Sequence, residues 1–446
     1  MLTAEDEVVE IAQRLIQFDT SNYGDGSGPG EAAAASYCRD LLAEVGLNVT
    51  MLEPFPGRTS LVARLEGADP SRPALVIHGH TDVVPAAAED WTHPPFSGEI
   101  VDGMVWGRGA VDMKGMDAII LSVVREFART GRKPARPLII AMFADEEAGG
   151  VQGSQWLADN MPQLFDGATQ AISEVGGFSI TVADQRVYLL QTAEKGLAWL
   201  CLIANGTAGH GSAINKDNPV TKLAGALTRI AEYEWPIELN SATFALLKGI
   251  SELTGLPFNV ANETDSAANT PAVREQIGAL TAALGNAEKF VAATTRSNAN
   301  PTGLAAGYKA NVIPSQATAT LDLRPLPGTA EQAKATLLEL AGPGMYLDPI
   351  HEDIGLEAPI DTPFVADMIA AIQAADPGAI VLPYCLAAGT DNKALARIGI
   401  EGYGFSPLQL PPDLDFTGLF HGVDERVPIE SLKFGTRVLR HLLQNC

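Results

Sequence analysis

A chain of 446 residues has room for about two or three domains, or for one large domain with an insertion. Its 46% hydrophobic content is that of a globular protein, and its apolar runs are strand-sized, short of the roughly 18 residues a membrane span requires. Lysine and arginine number 30 against 54 acids, and the formal charge of −24 argues against nucleic acid or an anionic membrane as a partner.

The acidic start, Met1-Leu2-Thr3-Ala4-Glu5-Asp6-Glu7, lacks the basic and apolar regions of a signal peptide, so a soluble cytoplasmic protein is expected. Cys38, Cys201, Cys385 and Cys446 lie far apart without a Cys-x-x-Cys pair, which predicts scattered thiols in a reducing compartment rather than a disulfide. Apolar positions at helical spacing (Val8, Val9, Ile11, Ala12, Leu15, Ile16) predict a helix over 5–19. The glycine-rich stretch 24–30 has no Gly-Lys-Ser/Thr after it and is not a phosphate loop. A helix over 32–45 and strands at 49–52 and 60–65 come next. Strand and helix then alternate: 74–78, 116–129, 138–143, 151–160 and 168–173. This alternation predicts an α/β fold with a mixed, mostly parallel sheet flanked by helices, and ligands at the carboxyl ends of its strands. His80, Asp82, Glu146, Glu147 and Glu174 fall there.

The pattern changes near Tyr188. Strands are expected at 189–194 and 196–205, then the loop Thr207-Ala208-Gly209-His210-Gly211-Ser212 and a helix over 218–233. The stretch 240–300, rich in Ala, Asn and Thr, shows helical periodicity at 272–284 and is expected either to line an acyl pocket or to pack as ordinary helices. Strands at 308–312 and 317–323, a helix at 330–340 and a strand at 346–350 follow. Elements resume at 363–375, 380–384, 393–398 and 429–444. A discontinuous catalytic domain, residues 1–190 and 357–446, is expected around an inserted α+β domain, 191–356.

Four segments carry the chemistry. His80-Thr81-Asp82 ends an apolar strand; its two side chains alternate and share a site only where the strand bends or ends, and a buried core histidine is the plainer reading. Asp112 lies among Gly107, Gly109 and Gly115, where a carboxylate could bridge two cations about 3.5–4 Å apart, or cap the helix that starts near Lys114. Glu146 and Glu147 are adjacent and point in different directions, so one could ligate a metal while the other faces an attacking water as general base; an acidic surface loop is the alternative. Glu174 repeats the pattern of strand, acid and paired glycines. Of seven histidines, His421 in Leu419-Phe420-His421-Gly422-Val423-Asp424-Glu425 is the better second nitrogen ligand, since His93, His351 and His441 lie in a proline-rich loop, a charged loop and a C-terminal helix.

In these motifs, taken in order, the chain resembles the M20 family of dinuclear zinc peptidases and amidases, which includes carboxypeptidase G2-like enzymes, aminoacylase-1, acetylornithine deacetylase and succinyl-diaminopimelate desuccinylase. The similarity runs from near residue 10 to near residue 440. It implies a phosphorylase/hydrolase-like catalytic domain in which His80 and Glu174 bind one zinc, Glu147 and His421 the other, and Asp112 bridges both. Asp82 would orient His80, and Glu146 would be the general base. The insertion resembles the family's lid, which also forms a homodimer, and His210 matches a lid histidine that reaches the partner's site to stabilise the oxyanion. Asn311 and Arg324 match positions that hold the substrate's carboxylate, and Gly389-Thr390 matches the glycine loop that completes that pocket, although the family more often has Gly-Gly where Ala388-Gly389 stands here.

Two Zn2+ per subunit are therefore expected, with Co2+ or Mn2+ able to substitute. The implied activity is metal-dependent hydrolysis of an N-acyl amino acid, or of a peptide with a free C-terminal carboxylate. Glutamate at position 174 goes with the family's aminoacylases, deacylases and carboxypeptidases. A dipeptidase of the same family is the alternative, and a catalytically inactive metal-binding or regulatory protein a remote one.

Overall fold

The structure, a computed structural model, describes residues 2–446. Helix α1 (Ala4–Ile16) buries Val8, Ile11, Leu15 and Ile16, and Asp6 closes its start by accepting the Thr3 amide at 2.8 Å. Helix α2 (Ala32–Glu44) leads to strands β1 (Val49–Phe55), β2 (Arg58–Leu65) and β3 (Ala74–His80). Helix α3 (Lys114–Thr130), strand β4 (Leu138–Phe143), helix α4 (Ser154–Asn160) and strands β5 (Ala168–Ser173), β6 (Phe178–Val182) and β7 (Gln185–Glu194) follow. The chain then enters a second unit with β8 (Leu197–Asn205) and α5 (Pro219–Glu232). Helices α6 (Ser241–Thr254), α7 (Pro271–Ala282) and α8 (Glu288–Ala292) precede β9 (Asn298–Ala306), β10 (Gln316–Arg324), α9 (Ala330–Ala341) and β11 (Met345–Asp353). The last elements are β12 (Leu356–Glu357), α10 (Pro363–Ala375), β13 (Ile380–Leu386), α11 (Asn392–Ala396), β14 (Glu401–Gly404) and α12 (Ile429–Asn445).

The main sheet runs β1-β2-β4-β3-β5-β14-β7-β12, with β6 and β13 also paired to β7. Its middle is parallel, β3 lying between β4 and β5 and β5 beside β14. Its flanks, β1-β2-β4 and β14-β7-β12, are antiparallel, so the sheet is mixed and its parallel part is the part that carries the site. Parallel strands are covered on both faces, and β3 and β4 are buried along their whole length. Leu75 and Ile77 enter one core with α1, α3 and α12, while Val76 points to the other side with Leu157 of α4 and Leu395 of α11.

The second sheet, β9-β10-β8-β11, is antiparallel throughout. Alternate residues of β10 (Ala317, Ala319, Leu321, Leu323) are buried with residues of α5 and α9 in a separate core. Residues 236–295, which the sequence reading places in the insertion, join the other core. Leu246, Ile250, Ile277 and Val291 from α6, α7 and α8 belong to the same core as Leu75 and Ile77, and α6 lies against β13. An apolar stripe at helical spacing shows that a helix has a face to bury but not which surface covers it. All four cysteines are free, and among the described residues no helix is long and apolar enough to cross a membrane.

Candidate metal centre

Because β3, β4 and β5 are parallel neighbours, their carboxyl ends emerge at one edge of the sheet. His80 closes β3, Glu146 and Glu147 follow β4, and Glu174 follows β5. Asp112 arrives on the turn before α3, where Gly107 and Gly109 take φ of 147° and 90°, a region that disfavours other residues. His421 arrives from the loop before α12, itself at φ 58°.

Two ligand groups form around one shared carboxylate. Asp112 Oδ1 lies 3.1 Å from His80 Nε2, and Asp112 Oδ2 lies 3.2 Å from His421 Nε2. Glu174 Oε2 is 3.6 Å from His80 Nε2, and Glu147 Oε2 is 3.0 Å from His421 Nε2. Ligands at about 2.0–2.2 Å from a tetrahedral ion stand about 3.4 Å from one another. The separations here match that spacing, so the residues fit a cation on each side of Asp112. On the far side of the His80 ring, Nδ1 lies 3.0 Å from the Asp82 carbonyl oxygen, which directs Nε2 toward the cluster.

The electrostatics call for positive charge. Asp112 and Glu174 are buried and Glu146 and Glu147 nearly so, yet among the described residues none of the four is paired with a lysine or arginine. Burial, with Glu174, Asp391 and Glu147 close by, holds the Glu146 carboxyl well above its ordinary range. Burial and Asp112 do the same to Glu174. The hydrogen bonds to Asp112 and Glu147 raise His421 from 6.5 to about 10, and against burial Glu174, Asp112 and Asp82 raise His80 well above 6.5. These shifts all point to an excess of negative charge at the cluster, which a cation held by the two imidazoles and the carboxylates would balance.

A buried polar frame supports the cluster. The Asp82 carboxylate accepts the amides of Glu146 and Glu147, each at 3.1 Å, and Asn22 Nδ2 at 2.9 Å. It therefore sets the two glutamates as well as facing His80. Asn22 also donates to Asp145 at 3.1 Å, while Arg58 pairs with Glu31 at 2.5 Å and donates to Asn22 Oδ1 at 2.9 Å. Sequence reading missed Asn22, Arg58 and Glu31, which carry no motif and acquire their role from where β2 and the segment after α1 meet.

Beside the cluster opens a cleft of about 200 Å³, lined by Glu146, Glu147, Gly389, Thr390, Asp391 and His421 and, from the second sheet, by Trp199, Arg324 and His351. None of residues 236–295 lines this cleft, although Leu284, Gly285, Asn286 and Ala287 line a separate one against Pro411 and Phe416. Arg324 directs Nε and Nη2 at Asp322 (2.7 and 3.2 Å), so that edge of its fork is already engaged. The Thr390 hydroxyl donates to Glu194 at 2.6 Å. His210 and Asn311 lie outside the cleft. They are neighbours on an exposed two-stranded ribbon, Gly209–His210 with Val312–Ile313, where the Gly211 amide donates to the Asn311 carbonyl at 2.9 Å.

A mixed α/β sheet that gathers histidines and unbalanced carboxylates at its parallel strand ends defines a metal-binding class of site. The profile of peptidase family M20/M25/M40 matches residues 76–445, and the chain belongs to that family. It is 28% identical over 461 residues to the N-fatty-acyl-amino acid synthase/hydrolase PM20D1 of Mus musculus, covering 99% of this chain and 89% of the relative. Over 413 residues it is 25% identical to the aminoacylase-1 of Homo sapiens, covering 90% of this chain and 86% of that one. The fold matches the M20 family metallo-carboxypeptidase Sso-CP2 from Sulfolobus solfataricus with a TM-score of 0.70 at 18% identity, covering 98% and 99% of the two chains. The protein is a metallohydrolase of this family, acting on amide bonds.

Proposed function

We propose that this chain hydrolyses the amide bond of an N-acyl amino acid, or of a peptide with a free C-terminal carboxylate, at a two-cation centre. The observation that carries this reading is Asp112, which offers one oxygen to each histidine. In this reading His80 and Glu174 hold one ion, Glu147 and His421 the other, and Asp112 both. The nitrogen and oxygen donors suit zinc, and cobalt or manganese would be accepted. Bound, the ions lower the pKa of water and polarise the scissile carbonyl.

Glu146 is the general base. Its Oε2 stands 3.9 Å from His80 Nε2, against 3.1 Å for Asp112 and 3.6 Å for Glu174, which favours it for the proton rather than the ion beside His80. It takes a proton from the attacking water and passes it to the leaving amine nitrogen, and Asp82 keeps it in place through its amide. The remaining edge of Arg324, with Gly389 and Thr390, holds the carboxylate of the leaving amino acid. His210 and Asn311, exposed on their ribbon, serve the cleft of a second copy in a homodimer, where His210 stabilises the oxyanion. The names of aminoacylase-1 and the fatty-acyl-amino acid hydrolase among the relatives favour an acyl amino acid over a dipeptide. The free cysteines support a reducing, cytoplasmic setting.

The test is hydrolysis of pooled N-acyl amino acids and of pooled dipeptides, with and without chelator. Chelator-sensitive release of amino acid from the acyl pool is expected. Release from dipeptides alone would move the substrate to that class, and no chelator-sensitive release from either pool would contradict the reading.

A further inference from the structure

The two histidines of the cluster are held in different ways. His80 ends a strand, its side chain is 1% exposed, and Nδ1 is fixed against Asp82 O at 3.0 Å. The His421 side chain is 55% exposed, and the contacts of its ring are to Asp112 and Glu147, members of the cluster itself. Its position is therefore set by its loop, which polar contacts hold on one side (Arg108 Nη2 donates to the His421 carbonyl at 3.4 Å, the Thr92 amide to Asp424 at 2.7 Å) and aromatic packing on the other. Phe420, the preceding residue, stacks on Phe290 of α8 with centroids 5.8 Å apart and planes at 28°, and meets Phe416 edge-on at 5.4 Å. Phe416 packs on Phe178 of β6 at 5.1 Å, and Phe290 on Tyr384 of β13 at 5.9 Å. Tyr384 Oη in turn donates to the Val175 carbonyl at 2.5 Å, on the turn that carries Glu174. The same segment supplies a polar tie, since Thr417 Oγ1 donates to Asn286 O at 2.9 Å.

We propose that the helical segment 236–295 sets the position of His421, and that Phe290 is the positioning residue: its ring fixes Phe420 and, through it, the imidazole that faces Asp112 and Glu147. The segment lines no part of the cleft, so its contribution to the site is mechanical support from behind. The proposal rests on the two-cation reading above. It follows that the ion beside His421 depends on this packing directly, through Phe420, and the ion beside His80 only at a further remove, through Tyr384 and the turn that carries Glu174.

Calorimetric zinc titration of the chelator-stripped chain tests this in the wild type, Phe290→Ala, Phe290→Leu and Phe244→Ala. Phe244 belongs to the same segment but its ring packs on Phe258, at 5.6 Å. Phe290→Ala should keep one tight equivalent and weaken the other by about ten- to a hundredfold, the scale of losing a ligand's outer support. Phe290→Leu should weaken it less, Phe244→Ala should bind both as the wild type does, and excess zinc should restore turnover to Phe290→Ala. The proposal is overturned if both Phe290 variants bind both equivalents normally, if Phe290→Leu loses both equally, or if Phe244→Ala weakens one to the same degree. A wild-type chain that takes up a single equivalent contradicts the two-cation reading instead, before any variant is compared.

Discussion

The Glu425 carboxylate accepts the backbone N–H of Asp112 at 2.9 Å across 313 residues of sequence. It also accepts the amides of Val111 at 2.6 Å and Gly109 at 3.0 Å, and pairs with Arg108 at 2.7 Å in a fully buried position. His421 precedes it in the same loop. The segment that delivers one metal-facing histidine thus also holds the backbone of the carboxylate both histidines share.

Replacing Glu425 with glutamine turns one acceptor oxygen into a donor facing backbone N–H groups and leaves Arg108 without its anion. Breaking a buried pair from one side costs about 3–5 kcal/mol. Glu425→Gln should therefore lower the unfolding free energy by about 3 kcal/mol or more in denaturant titration and weaken metal uptake. Wild-type stability in this variant would show that the Arg108–Glu425 pair and the amides it holds contribute nothing measurable to the fold.

Asp112 and Asp82 should separate cleanly. Asp112→Asn removes charge from the position facing both histidines, and metal analysis after gel filtration should show loss at both sites. Asp82→Asn should retain both ions but slow turnover by about ten- to a hundredfold, because an amide cannot accept from Glu146, Glu147 and Asn22 together as the carboxylate does. Equal metal loss in the two variants would make Asp82 a ligand rather than a support.

Glu146→Gln should bind metal as the wild type does and lose about 10²–10⁴ in kcat, the range of general-base catalysis. Loss of metal in this variant, measured alongside kcat, would place Glu146 among the ligands.

Asp117 makes a prediction about pH. It is buried in α3 against Gly79, and neither carboxylate oxygen has a hydrogen-bond partner. Burial first, then Asp82 and Asp112, push its carboxyl from 3.8 up to about 8. An acid raised in the folded state supports the fold below its unfolded pKa and loses that support as pH rises toward the folded value. Relative to Asp117→Asn, the stripped wild type should lose about 1.4 kcal/mol of stability per pH unit between about pH 4 and pH 8, then level off. Urea unfolding across that range reads the slope, and a flat difference would mean that Asp117 titrates as an ordinary acid.

The cluster was legible because its members stand where apolar strands stop or where glycines open the backbone. His80, Asp112, Glu146, Glu147, Glu174 and His421 are the residues the structure brings together. Elements with clear periodicity also lie where expected, as with Leu138–Phe143 and Ala168–Ser173. The engagement of Arg324 by Asp322 was not anticipated, although residues two apart on a strand share a face. The partner of the 236–295 helices was not either, because amphipathic spacing does not name the surface opposite. Glu31, Asn22 and Arg58 were invisible for a related reason: their value lies in long-range contact with Asp145 and Asp82, which no local pattern encodes.

Two cations held by one chain, with Asp112 between them, are tested most directly by titrating zinc into the chelator-stripped protein while following release of amino acid from an N-acyl amino acid. Uptake of two equivalents per chain, with hydrolysis absent at the start and restored as they bind, is the predicted result. Saturation at one equivalent, or undiminished hydrolysis in the stripped protein, would contradict it.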